Sequence, residues 1–323
     1  MKIFLLVLFT LFCFPAAAGK ILLIESYHSE FPWDKEYIQG IKSRVNVDHE
    51  LVTFQMDTKR IPQSQYADKA DKAWDYYQNH KPDIVLLGDD NALKYMLPKL
   101  YNEPISIVFL GINSNPRGLL AEYRGQAEIT GILERPLLLK NIKSITQLMQ
   151  MDQGKVLVLF DSGTTSHIAN TFISTQFEGA LRQLKVEVTS YNVETISEWK
   201  SLVTDAKKDG YQAIVIGLYH TLVDEQLNNV DANNVLSWTN QNTPIPIFGF
   251  WDFSVGQGKT IGGIVLFGES QGSAAGAIAE QILQGKSASK IPIKTGEKGK
   301  AMYSRQEAAR WNLTPPSSWS AID

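Results

Sequence analysis

Short runs rich in Ile, Val, Leu and Phe alternate along the chain with longer stretches whose apolar residues recur every three or four positions. The short runs fall at residues 20–25, 50–56, 83–88, 105–110, 155–160, 186–193, 213–217, 245–250 and 263–267. Most are apolar nearly throughout, which suits strands covered on both faces better than strands with one face in water. The longer stretches, at residues 34–47, 64–80, 165–184, 197–209 and 273–284, have the length and periodicity of helices. Alternation of this kind predicts repeated βαβ units around parallel sheets, an α/β fold. The last helix is rich in Ala and stops at Gly285, and its small residues let it lie close on a sheet.

The halves of the chain echo each other. KILLIESYHSE from Lys20 parallels KVLVLFDSGTT from Lys155, DIVLLG from Asp83 parallels AIVIG from Ala213, and PISIVFLGINS from Pro104 parallels PIPIFGFWDFS from Pro244. Strand order and spacing therefore recur, which predicts two similar lobes. No Gly/Ser or Pro-rich tether separates them, so short crossings should join the lobes as a hinged clamshell that closes around a ligand. The expected division is residues 19–128 with 252–286 for one lobe and 129–251 with 287–323 for the other, with crossings near residues 130–136 and 257–263.

The N-terminus departs from this pattern. Met1-Lys2, an uncharged apolar run over residues 3–14 and Ala16-Ala17-Ala18 together read as a secretory signal peptide, residues 1–18. The single cysteine, Cys13, lies inside it, so the exported chain has no thiol for disulfides, nucleophilic catalysis or Cys-ligated metal. Across 323 residues, 44% are hydrophobic and 20% charged, with 31 Lys+Arg against 34 Asp+Glu. That balance describes a globular protein without the basic surplus a nucleic-acid partner demands.

In open parallel sheets ligands bind beyond the carboxyl ends of strands, so the residues following each strand are the ones to inspect. They are polar and aromatic: Ser26, Tyr27 and His28; Asp89, Asp90 and Asn91; Asn113; Asp161, Ser162 and Thr164; Tyr219; Trp251 and Asp252; and Glu269. Trp33 follows the Phe31-Pro32 turn and belongs with Tyr27 to an unusually ring-rich loop. These fifteen residues are the candidate ligand-binding set. Asp89, Ser162, Thr164 and Thr165 are equally suited to capping the helices that follow, and Trp251 and Phe253 to core packing.

Other chemistry fits less well. Gly268-Glu269-Ser270-Gln271-Gly272 is a complete G-x-S-x-G, yet every histidine precedes it, the last being His220, whereas in a hydrolase of that kind the histidine follows the serine. Asp89-Asp90 has no partner motif for a divalent cation, and the five histidines form no ligand spacing. Gly256-Gln257-Gly258-Lys259-Thr260 has Phe253 where a phosphate loop needs glycine. The expectation is a protein with no catalytic residues, no metal and no cofactor.

The chain resembles the substrate-binding proteins of ABC transporters within the periplasmic binding protein type I superfamily. The resemblance is carried by Ser26-Tyr27-His28 and Trp33, by Gly88-Asp89-Asp90-Asn91-Ala92, by Ile129-Thr130-Gly131-Ile132-Leu133-Glu134, and by Gly272, Ala274-Ala275 and Ile282-Leu283-Gln284-Gly285-Lys286. Ser304 stands where the family often has Asn before its last helix. The resemblance implies a periplasmic two-lobed protein, monomeric, that captures a small solute and presents it to a transporter permease or a membrane sensor. Candidate cleft positions carry many carboxylates against only Arg117 and Arg135, which favours an amino acid or related amine, with a saccharide second.

Overall fold

The structure, a computed structural model, describes residues 18–323, with the side chains of 176–184 excepted. The leader expected over residues 1–18, with Cys13, therefore lies outside the described residues but for Ala18.

The first lobe begins with β1 (Lys20–Glu25), α1 (Pro32–Lys42), β2 (Glu50–Gln55), α2 (Tyr66–His80), β3 (Ile84–Gly88), α3 (Asp89–Leu100), β4 (Ser106–Ile112), α4 (Arg117–Glu122) and β5 (Glu128–Leu133). The second follows with α5 (Leu138–Leu148), β6 (Gly154–Asp161), α6 (Thr164–Leu184), β7 (Val186–Val193), α7 (Ile196–Asp205), β8 (Ala213–Ile216), α8 (Ala232–Asn242) and β9 (Ile247–Gly249). The chain ends with β10 (Gly262–Val265), α9 (Gly268–Leu283), β11 (Lys294–Thr295), β12 (Lys300–Tyr303), α10 (Arg305–Arg310) and β13 (Ser320–Ala321).

Two parallel sheets carry the lobes, one ordered β11-β5-β4-β3-β1-β2 and the other β7-β6-β8-β9. Helices cover both faces, which is why Ile21 to Ile24, Ile84 to Leu87 and Val156 to Phe160 are all essentially inaccessible to solvent. Within β1, Ile21 and Leu23 face one core and Leu22 and Ile24 the other, as a strand's period of two requires. A small third sheet, β10-β12-β13, lies beside β9.

The expected lobe boundaries move in three places. Residues 129–133, expected to open the second lobe, are most of β5 and pair with β4 in the first sheet. Residues 252–265 stay with the second lobe, because β10 packs on β9 and α5, and the chain crosses only at Leu266 and Phe267 before α9 packs on α1. β11 returns to pair with β5. β5 has no continuous apolar signature in the sequence, because Thr130 and Gly131 interrupt its run.

Helix boundaries also shift. α1 ends at Lys42, short of residue 47, while α9 starts at Gly268 and absorbs the G-x-S-x-G segment. Ser304 caps α10 with its Oγ accepting from the Glu307 amide at 3.2 Å, so serine fills the role at that position.

Candidate ligand-binding site

Loops at the carboxyl ends of both sheets meet between the lobes. After β1 the chain turns through Phe31, and Pro32 then fixes the entry into α1, which brings Tyr27, Phe31 and Trp33 onto one wall. Tyr27 and Phe31 meet edge to face with centroids 5.3 Å apart. The loop after β2 contributes Lys59 and the turn into α3 contributes Asp89. From the other side come Thr165 at the start of α6, Leu218 after β8, and Trp251 and Phe253 after β9, while Glu134 sits on the crossing from β5 to α5. Together these residues line a narrow cavity of about 10 Å³ between the lobes.

The lobes are closed upon each other here. The Tyr27 and Thr165 hydroxyls share a hydrogen bond of 2.7 Å, and the Phe31 ring meets the His220 ring at 4.6 Å and the Phe253 ring at 5.5 Å.

Charge in the site is uneven. Asp89 is 2% exposed, holds a left-handed φ of 67°, and leaves Oδ2 without a hydrogen-bond partner among the described residues. A non-glycine residue kept in that conformation costs free energy, and such strain collects at functional sites. Burial, then the charges of Asp34, Glu134 and Asp90, raise the Asp89 carboxyl well above its usual range. Glu134 accepts from Trp251 Nε1 at 2.7 Å and Asn113 Nδ2 at 2.9 Å, yet burial outweighs both bonds and pushes it to about 7. Behind them Asp34 and Glu25 are buried, their four carboxylate oxygens without a well-formed hydrogen bond among the described residues. Against these stands Lys59, lowered by burial, with its Nζ 4.3 Å from the Tyr27 ring centroid.

The candidate set divides on inspection. Tyr27, Trp33, Asp89 and Trp251 line the cavity itself. Asn91 and Thr164 line an adjoining space, and Ser162 a broad open cleft beyond it. His28 and Tyr219 border another part of that cleft, where Tyr219 stacks on His220. Other residues hold the frame. Ser26 Oγ donates to the Gly88 carbonyl and accepts from the Ala92 amide. Asp90 accepts from the Asn113 and Ser114 amides, and Asn113 orients Glu134. Asp161 accepts from the amides of Gly163, His220 and Thr221. Asp252 faces Glu36, and burial with that second carboxyl pushes it to about 8; it does not line the cavity. Glu269 is exposed at the start of α9, away from the cavity.

Phe31, Lys59, Glu134, Thr165, Leu218 and Phe253 complete the cavity but are absent from the candidate set. Lys59 was within reach of the same rule that found the others, since it lies just beyond the carboxyl end of β2. Glu134 follows β5, whose interrupted apolar run leaves no strand end in the sequence to mark it.

The groups present can hold a molecule; nothing among them forms a nucleophile with a base. Ser270 Oγ donates to the Phe267 carbonyl at 3.0 Å within the first turn of α9. Among the described residues no cluster of three or more His, Cys, Asp or Glu is placed to hold a metal, and no helix is long and apolar enough to cross a membrane.

Two lobes meeting over a polar and aromatic cleft are the architecture of solute-binding proteins. The chain belongs to the ABC transporter substrate binding protein family, which residues 69–318 match. That family binds substrates without converting them and works outside the cytoplasm. Among solved structures, an ABC domain from Streptococcus pneumoniae in complex with L-Trp is similar with a TM-score of 0.67 at 16% identity, covering 95% of this chain and 100% of that one. A ligand-free, open substrate-binding protein from Clostridium difficile gives 0.56 at 13%, covering 95% and 99%. A solute-binding protein from Agrobacterium vitis with bound allitol gives 0.57 at 12%, covering 88% and 97%. These likenesses concern the fold. No curated protein matches the sequence significantly.

Proposed function

We propose that this protein captures a small amine-bearing ligand, an amino acid first of all, between its lobes and delivers it to the permease of an ABC transporter from the periplasm, to which the leader at residues 1–18 directs it. One observation carries the reading: Asp89, with Glu134 beside it, presents an unpartnered buried carboxylate oxygen among aromatic rings. Several buried carboxyls against the single Lys59 leave the cavity short of positive charge, and an added ammonium offsets that cost while its alkyl or aryl part packs on Tyr27, Trp33 and Trp251. The S. pneumoniae protein solved with L-Trp supports the choice. Closure follows because the ligand touches both lobes only in the closed form.

A saccharide is the second reading, favoured by the near-parallel rings of Trp251 and Phe253, 6.3 Å apart at 15°, and by the allitol-bound relative in fold. Thermal unfolding against amino acids, amines and sugars separates the two. A bound ligand at ~100 times its Kd adds ~2.7 kcal/mol, and scattering should show a smaller radius of gyration for the complex. A shift with sugars alone would overturn the amine reading; a shift with neither would favour a module that binds a membrane sensor without a solute.

A further inference from the structure

We infer that Lys59 and the first turn of α6 form an anion subsite that receives the ligand's carboxylate, which makes Lys59 the residue that separates amino acids from simple amines. The inference rests on the reading that the cavity takes an amine, and adds the opposite charge to it.

Lys59 is 6% exposed and makes no close ion pair among the described residues, although the charges of Asp161, Asp89, Asp34 and Glu134 reach it. Its Nζ rests over the rings of Tyr27 and Phe31, at 4.3 and 5.0 Å from their centroids, contacts that hold an ammonium without neutralising it. Asp161, across the cleft, is already engaged by the Gly163 amide at 3.0 Å, the His220 amide at 2.7 Å, the Thr221 amide at 3.0 Å and the Ser166 hydroxyl. A buried ammonium left in this state is expensive unless an anion joins it.

The facing wall supplies further donors. α6 is a helix of 21 residues, and the amides of Thr164, Thr165 and Ser166 open it with no acceptor inside the helix. Their partial positive charge favours an anion at the same place. Between Lys59 and this turn lies a narrow space of about 10 Å³. The space shares Tyr27, Lys59 and Thr165 with the main cavity. A molecule carrying both an ammonium and a carboxylate can therefore present one to Asp89 and the other to Lys59.

Titration calorimetry with matched ligands tests this: phenylalanine against phenethylamine and phenylalanine methyl ester, and tryptophan against tryptamine. The wild-type protein should prefer the amino acids by roughly 100-fold, the scale of losing one partner from a buried charge pair. Lys59→Met should reduce the preference below about tenfold by weakening amino-acid binding, and Lys59→Arg should retain most of it. Equal affinity of the wild-type protein for acid and amine would overturn the subsite while leaving amine capture intact, and it needs no variant to fold. Tighter amino-acid binding by Lys59→Met would also overturn it, since Lys59 would then be an internal occupant of the ring cage. Binding of neither class would remove the subsite and the amine reading together.

Discussion

Asp89 concentrates several costs in one residue: a positive φ, near-complete burial, and a carboxylate oxygen without a partner. Each is explained if a cationic group completes the site. Asparagine tolerates the left-handed region and keeps the side-chain shape while removing the charge. Asp89→Asn should therefore leave the thermal midpoint of the empty protein unchanged or raised, and weaken amine capture by ~2–5 kcal/mol, as unfolding and calorimetry on the same preparation will show. A large stability loss with unchanged affinity would make Asp89 structural. Glu134 depends on its two donors, so Trp251→Phe, which deletes Nε1 but keeps a ring, should cost ~1–3 kcal/mol of stability through the unsatisfied carboxylate and lower affinity in the same titration. Tyr27 and Trp251 were legible in sequence because they follow strands, and Trp33 because it belongs to a ring-rich loop; Asp252 and Glu269 follow strands too, and only their surroundings separate them from the cavity.

At the scale of elements, α1 and α9 form the closest helix pair in the first lobe. A Cβ at Gly272 would stand 1.9 Å from the Tyr37 carbonyl oxygen, and one at Gly40 2.2 Å from the Glu269 carbonyl oxygen. Glycine at these two positions lets the backbones approach, so the G-x-S-x-G segment is a packing motif here. Gly272→Ala should cost ~1–3 kcal/mol by prising the helices apart, whereas Ser270→Ala should stay within about 0.5 kcal/mol and leave ligand binding unchanged. Denaturant unfolding of the two variants makes the comparison, and lost binding in Ser270→Ala would revive a role for the hydroxyl. Most strands and helices could be read from periodicity because each buries a continuous apolar face. β5 could not, since a short strand interrupted by Thr130 and Gly131 looks like a connection until β4 lies beside it.

For the molecule as a whole, the interlobe site is acid-rich, and this gives stability an uncommon pH dependence. Glu25 and Glu134 are pushed to about 7 and Asp252 to about 8, all chiefly by burial, from unfolded values near ~4. The folded state thus holds more protons than the unfolded chain in this window, and stability is lost as pH rises through the folded values. The melting temperature of the empty protein should rise as pH falls from about 8 to about 6.5, the window above the ordinary His pKa. Below that, His28 and His220, both lowered mainly by burial, oppose the trend because the unfolded chain takes up their protons first. Asp252→Asn should flatten the upper part of the slope, read by scanning fluorimetry across the range; an unchanged slope would assign it elsewhere.

The sequence by itself determined the two-lobed α/β architecture, the ring-bearing loop after β1 and a ligand place beyond the strand ends. These follow from local periodicity and from the geometry common to parallel sheets. Only the tertiary structure decided that Lys59, Glu134 and Thr165 join Tyr27 and Asp89 in one cavity, that Asp161 braces backbone, and that Ser270 belongs to a helix contact. Burial, hydrogen-bond partners and charge balance are properties of neighbours far apart in the chain, and they acquire values only when the lobes close.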